Sequence, residues 1–420
     1  MDCMKYDVAV IGGGPAGIMA AGRAGEFGAK VVLIEKNVSL GNKLLITGKG
    51  RCNITNKRDE LREMTDRFGE NGKFLFSAFY KFGTDDVIAF FESRGVKTKT
   101  ERGGRVFPLS DKARDIVKAL GGYLKESKVE IRTGTKVEEI VNKNGRIDKV
   151  LLANKEEITA DKFIVCPGGK TRPETGSTGD GYKWLKKLGH TITELSPSLT
   201  PIIVKEKIVK SLEGLSLKNV KISFYKNNKK VDSEFGEALF TANGMSGPII
   251  LDLSREIGQE LPGDIRIQID FKPTLSFTEL DKRVQKDWRQ MSNKIFRNGL
   301  DKLLPRKLIP VIVGLSGIEA NKRINLITRE ERKRLIHFLK EFNLEVKGLA
   351  GYDKAIITSG GVDLSEVDPK TMKSKLIDNL YFAGEILNLD GPTGGYNLQS
   401  CWSTGYLAGD SAGKNGINLS

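Results

Sequence analysis

The stretch Tyr6–Lys36, YDVAVIGGGPAGIMAAGRAGEFGAKVVLIEK, constrains the fold more than any other part of the chain. An apolar run, Val8–Ile11, enters Gly12-Gly13-Gly14-Pro15-Ala16-Gly17. A helical pattern of small residues follows over Ile18–Glu26. A second apolar run, Lys30–Ile34, then ends on Glu35. Strand, glycine turn, helix, strand and acid arrive in the register of the G-x-G-x-x-G dinucleotide fingerprint. Gly12 permits the tight turn. Gly14 lets the backbone approach a pyrophosphate, and Gly17 lets the helix pack close to the strand. The phosphates would rest on the helix N-terminus, where free N–H groups and the dipole favour anions. Glu35 would accept hydrogen bonds from the ribose 2′- and 3′-hydroxyls. The motif alone does not separate FAD from NAD. Its place at the head of a long chain that later returns to it leans towards FAD.

A chain of 420 residues has room for two or three domains, and 39% apolar content suffices for packed cores. The 47 glycines gather in turns such as Gly48–Gly50, Gly103-Gly104, Gly360-Gly361 and Gly394-Gly395. The net charge of +15 exceeds what solubility asks for. It points either to a polyanionic partner or to a generally Lys-rich background. Cys3, Cys52, Cys166 and Cys401 show no metal-like spacing and read as free thiols in a reducing compartment. Two histidines, His190 and His337, argue against a His-ligated metal and against Ser-His-Asp chemistry. No signal-like start and no bilayer-length apolar run are present. The expectation is a soluble cytoplasmic protein with no membrane and no metal.

Asn37–Asn56, NVSLGNKLLITGKGRCNITN, is polar and aperiodic, a loop or short helix whose Lys43, Lys49, Arg51 and Asn53 could grip a pyrophosphate and a ring system. Phe74–Gly95 reads as helical, with Thr84 or Asp85 as N-cap. Val96–Pro108 reads as a hairpin turning at Gly103-Gly104. Ser110–Lys125 reads as an amphipathic helix capped by Ser110 or Asp111. Val129–Asn142 reads as a strand pair. Val150–Ala153 with Glu157–Lys162 makes another hairpin, and Phe163–Gly169 a buried strand. Gly181–Leu188 is a helix. From Ser196 the character changes. Leu199–Val204, Val220–Tyr225 and Ile265–Phe271 suggest a small antiparallel sheet or barrel. Pro248 suits the first turn of a helix. Phe277–Lys340 has a helical pattern and carries 16 Lys or Arg against 7 Asp or Glu, so +9 of the +15 falls in 64 residues. Most charge runs are solvated faces, but this focusing favours a nucleic-acid footprint. Leu380–Glu385, LYFAGE, is a buried strand ending in Gly-Glu, and a terminal helix spans Asn397–Ala412.

Several blocks match one family. They are GGGPAG with Glu35-Lys36, then GNKLLITGKGRCNITN, GGRVFP, TGSTGDGY, LFTANGMSGP, TSGGV and PKTMKSKLIDNLYFAGEILNLDGPTGGYNLQSCWSTGYLAG. Together they resemble the RdsA/BaiN family of FAD-dependent oxidoreductases, of the ribosomal RNA dihydrouridine synthase type. The likeness spans nearly the whole chain, and its long C-terminal block is the most specific. It implies an α/β fold: a glutathione-reductase-like FAD-binding Rossmann domain with an inserted β-barrel and a small helical domain. The implied division is 1–195 and 356–420 for the FAD domain, 196–276 and 341–355 for the barrel, and 277–340 for the basic helices. By the same resemblance Gly12, Gly14, Pro15, Ala16 and Gly17 face the FAD pyrophosphate, with Glu35 and Lys36 at the adenosine. Lys43, Thr47, Gly48, Arg51, Cys52, Asn53, Val137 and Gly168 join the cofactor site. Gly384-Glu385 meets the ribityl and pyrophosphate side. Gly394, Gly395, Asn397 and Leu398 lie at the isoalloxazine. A helix starting at Tyr396–Leu398 would point N–H groups at the edge that turns anionic on reduction.

The family is associated with reducing a C=C bond conjugated to a carbonyl, in uridine of large-subunit (23S) ribosomal RNA or in unsaturated oxo-bile acids. NAD(P)H would be a transient reductant, since no second G-x-G-x-x-G occurs. Two residues are candidate proton donors. Cys52 lies beside Lys49 and Arg51, which could activate its thiol, or it is simply a small buried residue. Tyr396 is either a donor or a packing aromatic. Arg283, Arg289, Arg297, Arg306, Lys307, Lys322 and Arg323 are candidate RNA contacts. The basic segment favours RNA over a steroid, which would ask for a large apolar pocket. A flavin-carrying RNA-binding factor without turnover is a further alternative.

Overall fold

The computed structural model describes residues 5–58 and 60–414, so Cys3 lies outside it. The chain divides into two compact units, Met1–Pro197 with Tyr352–Ser420, and Ser198–Gly351.

The first unit is built on a seven-stranded sheet. In order its strands are Glu130–Arg132, Val31–Ile34, Lys5–Ile11, Glu157–Val165, Arg146–Leu152 and Val137–Lys143. Leu380–Phe382 also pairs with Glu157–Val165, in parallel. The central strands are buried along almost their whole length, VAVI and VVLI among them. Parallel strands covered on both faces read as continuous apolar runs for that reason. The expected strand pair over Val129–Asn142 does not exist. Glu130–Arg132 pairs in parallel with Val31–Ile34, whereas Val137–Lys143 pairs antiparallel with Arg146–Leu152. The left-handed Gly134 turns the chain from one partner to the other. Two caps also differ. The helix Thr84–Glu92 is capped by Gly83, whose N–H bonds back to Asp86, and the amphipathic helix begins only at Ala113.

The chain's return to its start rests on a row of small residues. In the closing helix, Tyr396–Gly413, a Cβ on Gly405 would stand 2.3 Å from the Ala16 carbonyl oxygen. One on Gly409 would stand 2.4 Å from that of Ala20, and one on Gly413 2.6 Å from Cα of Ala24. Four-residue spacing on both helices puts these residues on one face, so the backbones meet directly. Arg23 locks the far end through Asp410, 2.5 Å away.

His190 is buried in this unit within a chain of polar groups. Its Nδ1–H donates to Glu366 at 3.0 Å, and its Nε2 accepts from the Ser374 hydroxyl at 3.1 Å. Ser374 Oγ in turn accepts the N–H groups of Leu376 and Ile377. The connectivity is that of an acid–base triad, but the serine oxygen is buried and already takes two backbone hydrogen bonds, so it is no nucleophile. The imidazole is neutral here, because Nε2 must accept. Burial lowers it below its ordinary 6.5, against the pull of Glu366. The unfolded chain protonates near 6.5 and the folded chain only at lower pH. Stability present above about 6.5 is therefore lost as pH falls below it. Urea unfolding at pH 7.5 and 5.5 is expected to show a falling midpoint, and a smaller fall in His190→Gln. An equal fall in both would remove His190 as the cause.

The second unit contains a closed barrel of strands Ile202–Val204, Gly244–Ser246, Lys229–Thr241, Ser216–Lys226, Ile265–Asp270 and Phe342–Leu349. Its core is shared with the helices Pro248–Gln259, Phe277–Arg289, Ile309–Ser316 and Arg329–Lys340. Ile222, Ile267 and Leu344 of the barrel cluster with Leu280, Val284, Ile312 and Leu335 of the helices. The basic helical segment and the barrel are thus one folding body.

Candidate cofactor site and basic surface

The three glycines of the turn are not equivalent. Gly12 has φ of 111°, and a Cβ there would lie 2.4 Å from the Cys166 carbonyl oxygen. A Cβ on Gly17 would lie 1.8 Å from the oxygen of Gly12. A Cβ on Gly14 would meet nothing within 4 Å. Two glycines serve packing, and the third faces open space at the N-cap of the helix Pro15–Glu26. No side chain caps that helix, and its first turn holds no acid. Unpaired N–H groups beside an open backbone fit a pyrophosphate.

Glu35 follows the second strand. Its carboxylate accepts from Gly13 N at 2.7 Å and from Asn37 N and Nδ2 at 2.8 and 2.7 Å. It therefore braces the glycine turn. A carboxylate has about four acceptor positions, which leaves capacity for a ribose hydroxyl. Lys36 points to Asp180 at 2.9 Å. Val137 is buried at the start of its strand, and Gly168 takes φ of 79°.

Around the other half, Lys43 lies 2.8 Å from Glu385 and also donates to Thr171. The second oxygen of Glu385 accepts from the N–H of Thr358 at 2.8 Å. Gly384 is left-handed and its Cβ would crowd Ala16. Gly394 and Gly395 are left-handed at φ of 115° and 104°, and the closing helix they open has no side-chain cap. Asn397 holds the N–H and C=O of Gly391, both at 2.8 Å, and Leu398 is half-buried one residue on. Asn53 Oδ1 is buried with no hydrogen-bond partner among the described residues. A buried acceptor without a donor costs about 1–3 kcal/mol, and a ring N–H of a bound group would satisfy it. The open cradle, the uncapped helices and this orphan acceptor all fit FAD.

Three expectations change. Arg51 does not reach towards a phosphate: its guanidinium pairs with Glu101 at 2.8 Å and lies 3.9 Å from the centre of the Phe107 ring. Lys43 is spent on Glu385. Cys52 is not activated, because its thiol is fully buried and burial pushes it up to about 12, in the opposite direction from activation. Thr47 Oγ1 donates to the Leu44 carbonyl, and Gly48 is left-handed. Tyr396, at the head of the closing helix, accepts a hydrogen bond from Arg58 Nε at 3.1 Å. Arg58 and Asn56 were not singled out in the sequence. Asn56 Nδ2 donates to the carbonyls of Gly103 and Gly394, joining the 98–108 hairpin to the second glycine turn. Both sit at the edge of the GNKLLITGKGRCNITN block, and that neighbourhood was the available signal.

In the second unit thirteen of the sixteen Lys and Arg side chains of 277–340 are exposed, so the charge faces water. Arg289, Arg297, Arg306 and Arg323 are exposed and carry no ion pair among the described residues. Arg283 pairs with Asp287 at 2.9 Å, and Lys307 donates to the Glu213 carbonyl. Lys322 is half-buried against Glu331 at 2.8 Å and is the weakest of the seven candidates.

A family model described as HI0933-like protein Rossmann domain matches residues 6–411. The chain belongs to the HI0933-like family. Among the curated relatives of this HI0933-like protein is a 3-dehydro-bile acid delta(4,6)-reductase from Clostridium scindens. It is 33% identical over 411 residues, covering 97% of this chain and 99% of the relative. A ribosomal RNA dihydrouridine synthase from Haemophilus influenzae is 30% identical over 404 residues, covering 94% and 96%. A solved 3-ketosteroid-delta4-(5alpha)-dehydrogenase from Rhodococcus jostii RHA1 matches with a TM-score of 0.53 at 14% identity, covering 98% and 97%. That likeness speaks for the fold alone. Family, fold and cradle together make the HI0933-like chain an FAD-dependent oxidoreductase. Among the described residues no helix is long and apolar enough to cross a membrane.

Proposed function

We propose that this protein reduces uridine to dihydrouridine in large-subunit (23S) ribosomal RNA at the expense of NAD(P)H. The observation that carries the reading is the basic surface of the second unit, +9 over 64 residues and mostly exposed. The name of the Haemophilus influenzae relative supports it. FAD, when bound, supplies the hydride. The net change adds a hydride to C6 of uracil and a proton to C5. The chain's part is to hold the ring, polarise its carbonyl and deliver the proton. The uncapped N-termini of the first and closing helices would hold the anionic ends of the cofactor. Tyr396 is the proton donor in this reading, with Arg58 orienting its hydroxyl. An RNA substrate would place the protein in the cytoplasm.

A second reading is reduction of a small unsaturated oxo compound such as a 3-dehydro-bile acid. The 33% identity to the Clostridium scindens reductase favours it. Both substrates present a C=C bond conjugated to a carbonyl, so the chemistry is shared and the substrate discriminates.

Mass spectrometry of ribosomal RNA from cells lacking the gene, before and after treatment with purified protein and NADPH, decides between them. Loss of one dihydrouridine and its restoration are expected. Retention of every dihydrouridine in the deletion strain sinks the RNA reading. Binding to a single-stranded large-subunit RNA fragment is also expected to weaken about a hundredfold between 50 and 200 mM salt, from roughly five phosphate contacts. Salt-insensitive binding would contradict it.

A further inference from the structure

The segment Gly72–Gly83, GKFLFSAFYKFG, holds five aromatic residues, two lysines and no acid. The nearest acids in sequence, Glu70 and Asp85, lie outside it. Within it, Phe76–Lys81 is a short helix. Its inner residues, Ala78 and Phe79, are buried. Its outer face carries Phe76 and Tyr80, 53% and 79% exposed. They are four residues apart and so share one face. A single exposed apolar residue needs no explanation, but two large exposed rings on one helix face form a patch that water disfavours. Lys73 and Lys81, both exposed, flank it in the sequence.

The patch is tied to the cofactor side of the first unit. Phe79 meets Phe68 edge-on, with centroids 5.8 Å apart. Phe68 packs against Gly391, where a Cβ would come within 2.8 Å of the ring. Gly391 is held by Asn397, in the first turn of the closing helix. An exposed aromatic surface is therefore connected, contact by contact, to the helix terminus assigned to the isoalloxazine.

We infer that Phe76 and Tyr80 form a stacking platform for unpaired bases of the RNA substrate, with Lys73 and Lys81 taking the flanking phosphates. This rests on the RNA reading above. Chemistry on a base requires that base to leave its stack, and its neighbours then lose a partner. Aromatic faces replace that partner without regard to sequence, and cations beside them track the backbone. The patch stands out on a helix face rather than in a concavity, so it suits a polymer better than an enclosed steroid.

The test uses the full-length, FAD-loaded protein and a single-stranded uridine-containing oligonucleotide of large-subunit ribosomal RNA sequence, alone and in duplex form. Fluorescence anisotropy at fixed salt compares the protein with Phe76→Ser, Tyr80→Ser and the double variant, each checked by thermal melting. Single-strand affinity is expected to fall about tenfold per ring and about a hundredfold for the pair. Duplex affinity is expected to hold within about twofold, since no base is free to stack. The Tyr80→Trp variant is expected to show quenched tryptophan emission with the single strand. A double variant that binds the single strand as the parent does overturns the platform and leaves the RNA reading standing. So does equal loss of single-strand and duplex binding. A parent protein that binds neither form overturns the RNA reading and the platform with it. Tryptophan emission that answers to phosphatidylglycerol vesicles and not to the oligonucleotide assigns the patch to a lipid surface and overturns the proposal.

Discussion

Gly14→Val is expected to yield a folded protein without flavin, and Gly17→Ala a protein that scarcely folds. The two glycines are three residues apart in one motif, yet their surroundings are opposite. At Gly14 the backbone is extended, with φ of −83° and ψ of −174°, and a Cβ meets nothing within 4 Å. Any L-residue adopts that conformation, so the fold should change by no more than about 0.5 kcal/mol. The added side chain fills the space in front of the helix N-terminus. If a pyrophosphate lies there, FAD affinity falls by at least about a hundredfold. At Gly17 the Cβ would stand 1.8 Å from the Gly12 oxygen and 3.0 Å from Cys166 Sγ. Both obstacles are part of the sheet-and-helix core, and one is backbone. Relief requires the first helix to lift off its strand, which also disturbs the seat of the closing helix. The cost should exceed about 3 kcal/mol, a large share of the 5–15 kcal/mol that holds a domain together. The ratio of absorbance at 450 and 280 nm reads the flavin, and thermal melting of the flavin-free protein reads the fold. Gly14→Val retaining a full flavin complement would show that the pyrophosphate is held elsewhere. Gly17→Ala melting like the parent would mean that the helix has slack that the packing does not suggest.

The contrast also explains what was legible in the sequence. The Tyr6–Lys36 unit is legible because its motif is local: strand, turn, helix and acid follow one another within about thirty positions. The row Gly405, Gly409 and Gly413 could not. Glycines inside a helix look unfavourable until their partners are known, and Ala16, Ala20 and Ala24 lie nearly four hundred residues away. The strand Lys229–Thr241 is hidden in the sequence for a related reason. Only Ala238 and Phe240 of its thirteen residues are buried, so no period of two marks it. In the site, charge type was visible and partner was not. Lys43 and Arg51 promised anion contacts, but Glu385 and Glu101 satisfy them, and nothing local announces such pairings. The second glycine turn was legible as a helix start, while its brace, Asn56 on Gly394, depends on a hairpin folding back.

Cys52 and Tyr396 were alternatives for the proton, and the structure separates them enough for a decisive pair of variants. Tyr396→Phe is expected to slow substrate-dependent reoxidation of the reduced flavin by about 10²-fold or more, the usual worth of a positioned acid. Reduction of the flavin by NADPH needs no such proton and should survive. The phenylalanine keeps the Cβ beside Gly391 and the ring beside Gly394, so packing is preserved. Arg58 is half-buried and can turn to water, so the loss is not a buried charge left unpaired. Cys52→Ala should do the reverse. It removes a buried sulfur at a cost of about 1 kcal/mol and leaves the rate alone. A thiol pushed up to about 12 holds its proton too tightly, and full burial leaves it no contact with solvent for reprotonation. Anaerobic stopped-flow mixing with NADPH, followed by substrate, resolves the two half-reactions at 450 nm. Parent-like reoxidation in Tyr396→Phe would move the acid to another group. A slow, well-folded Cys52→Ala would return it to the thiol and require the loop Thr47–Cys52 to open during turnover.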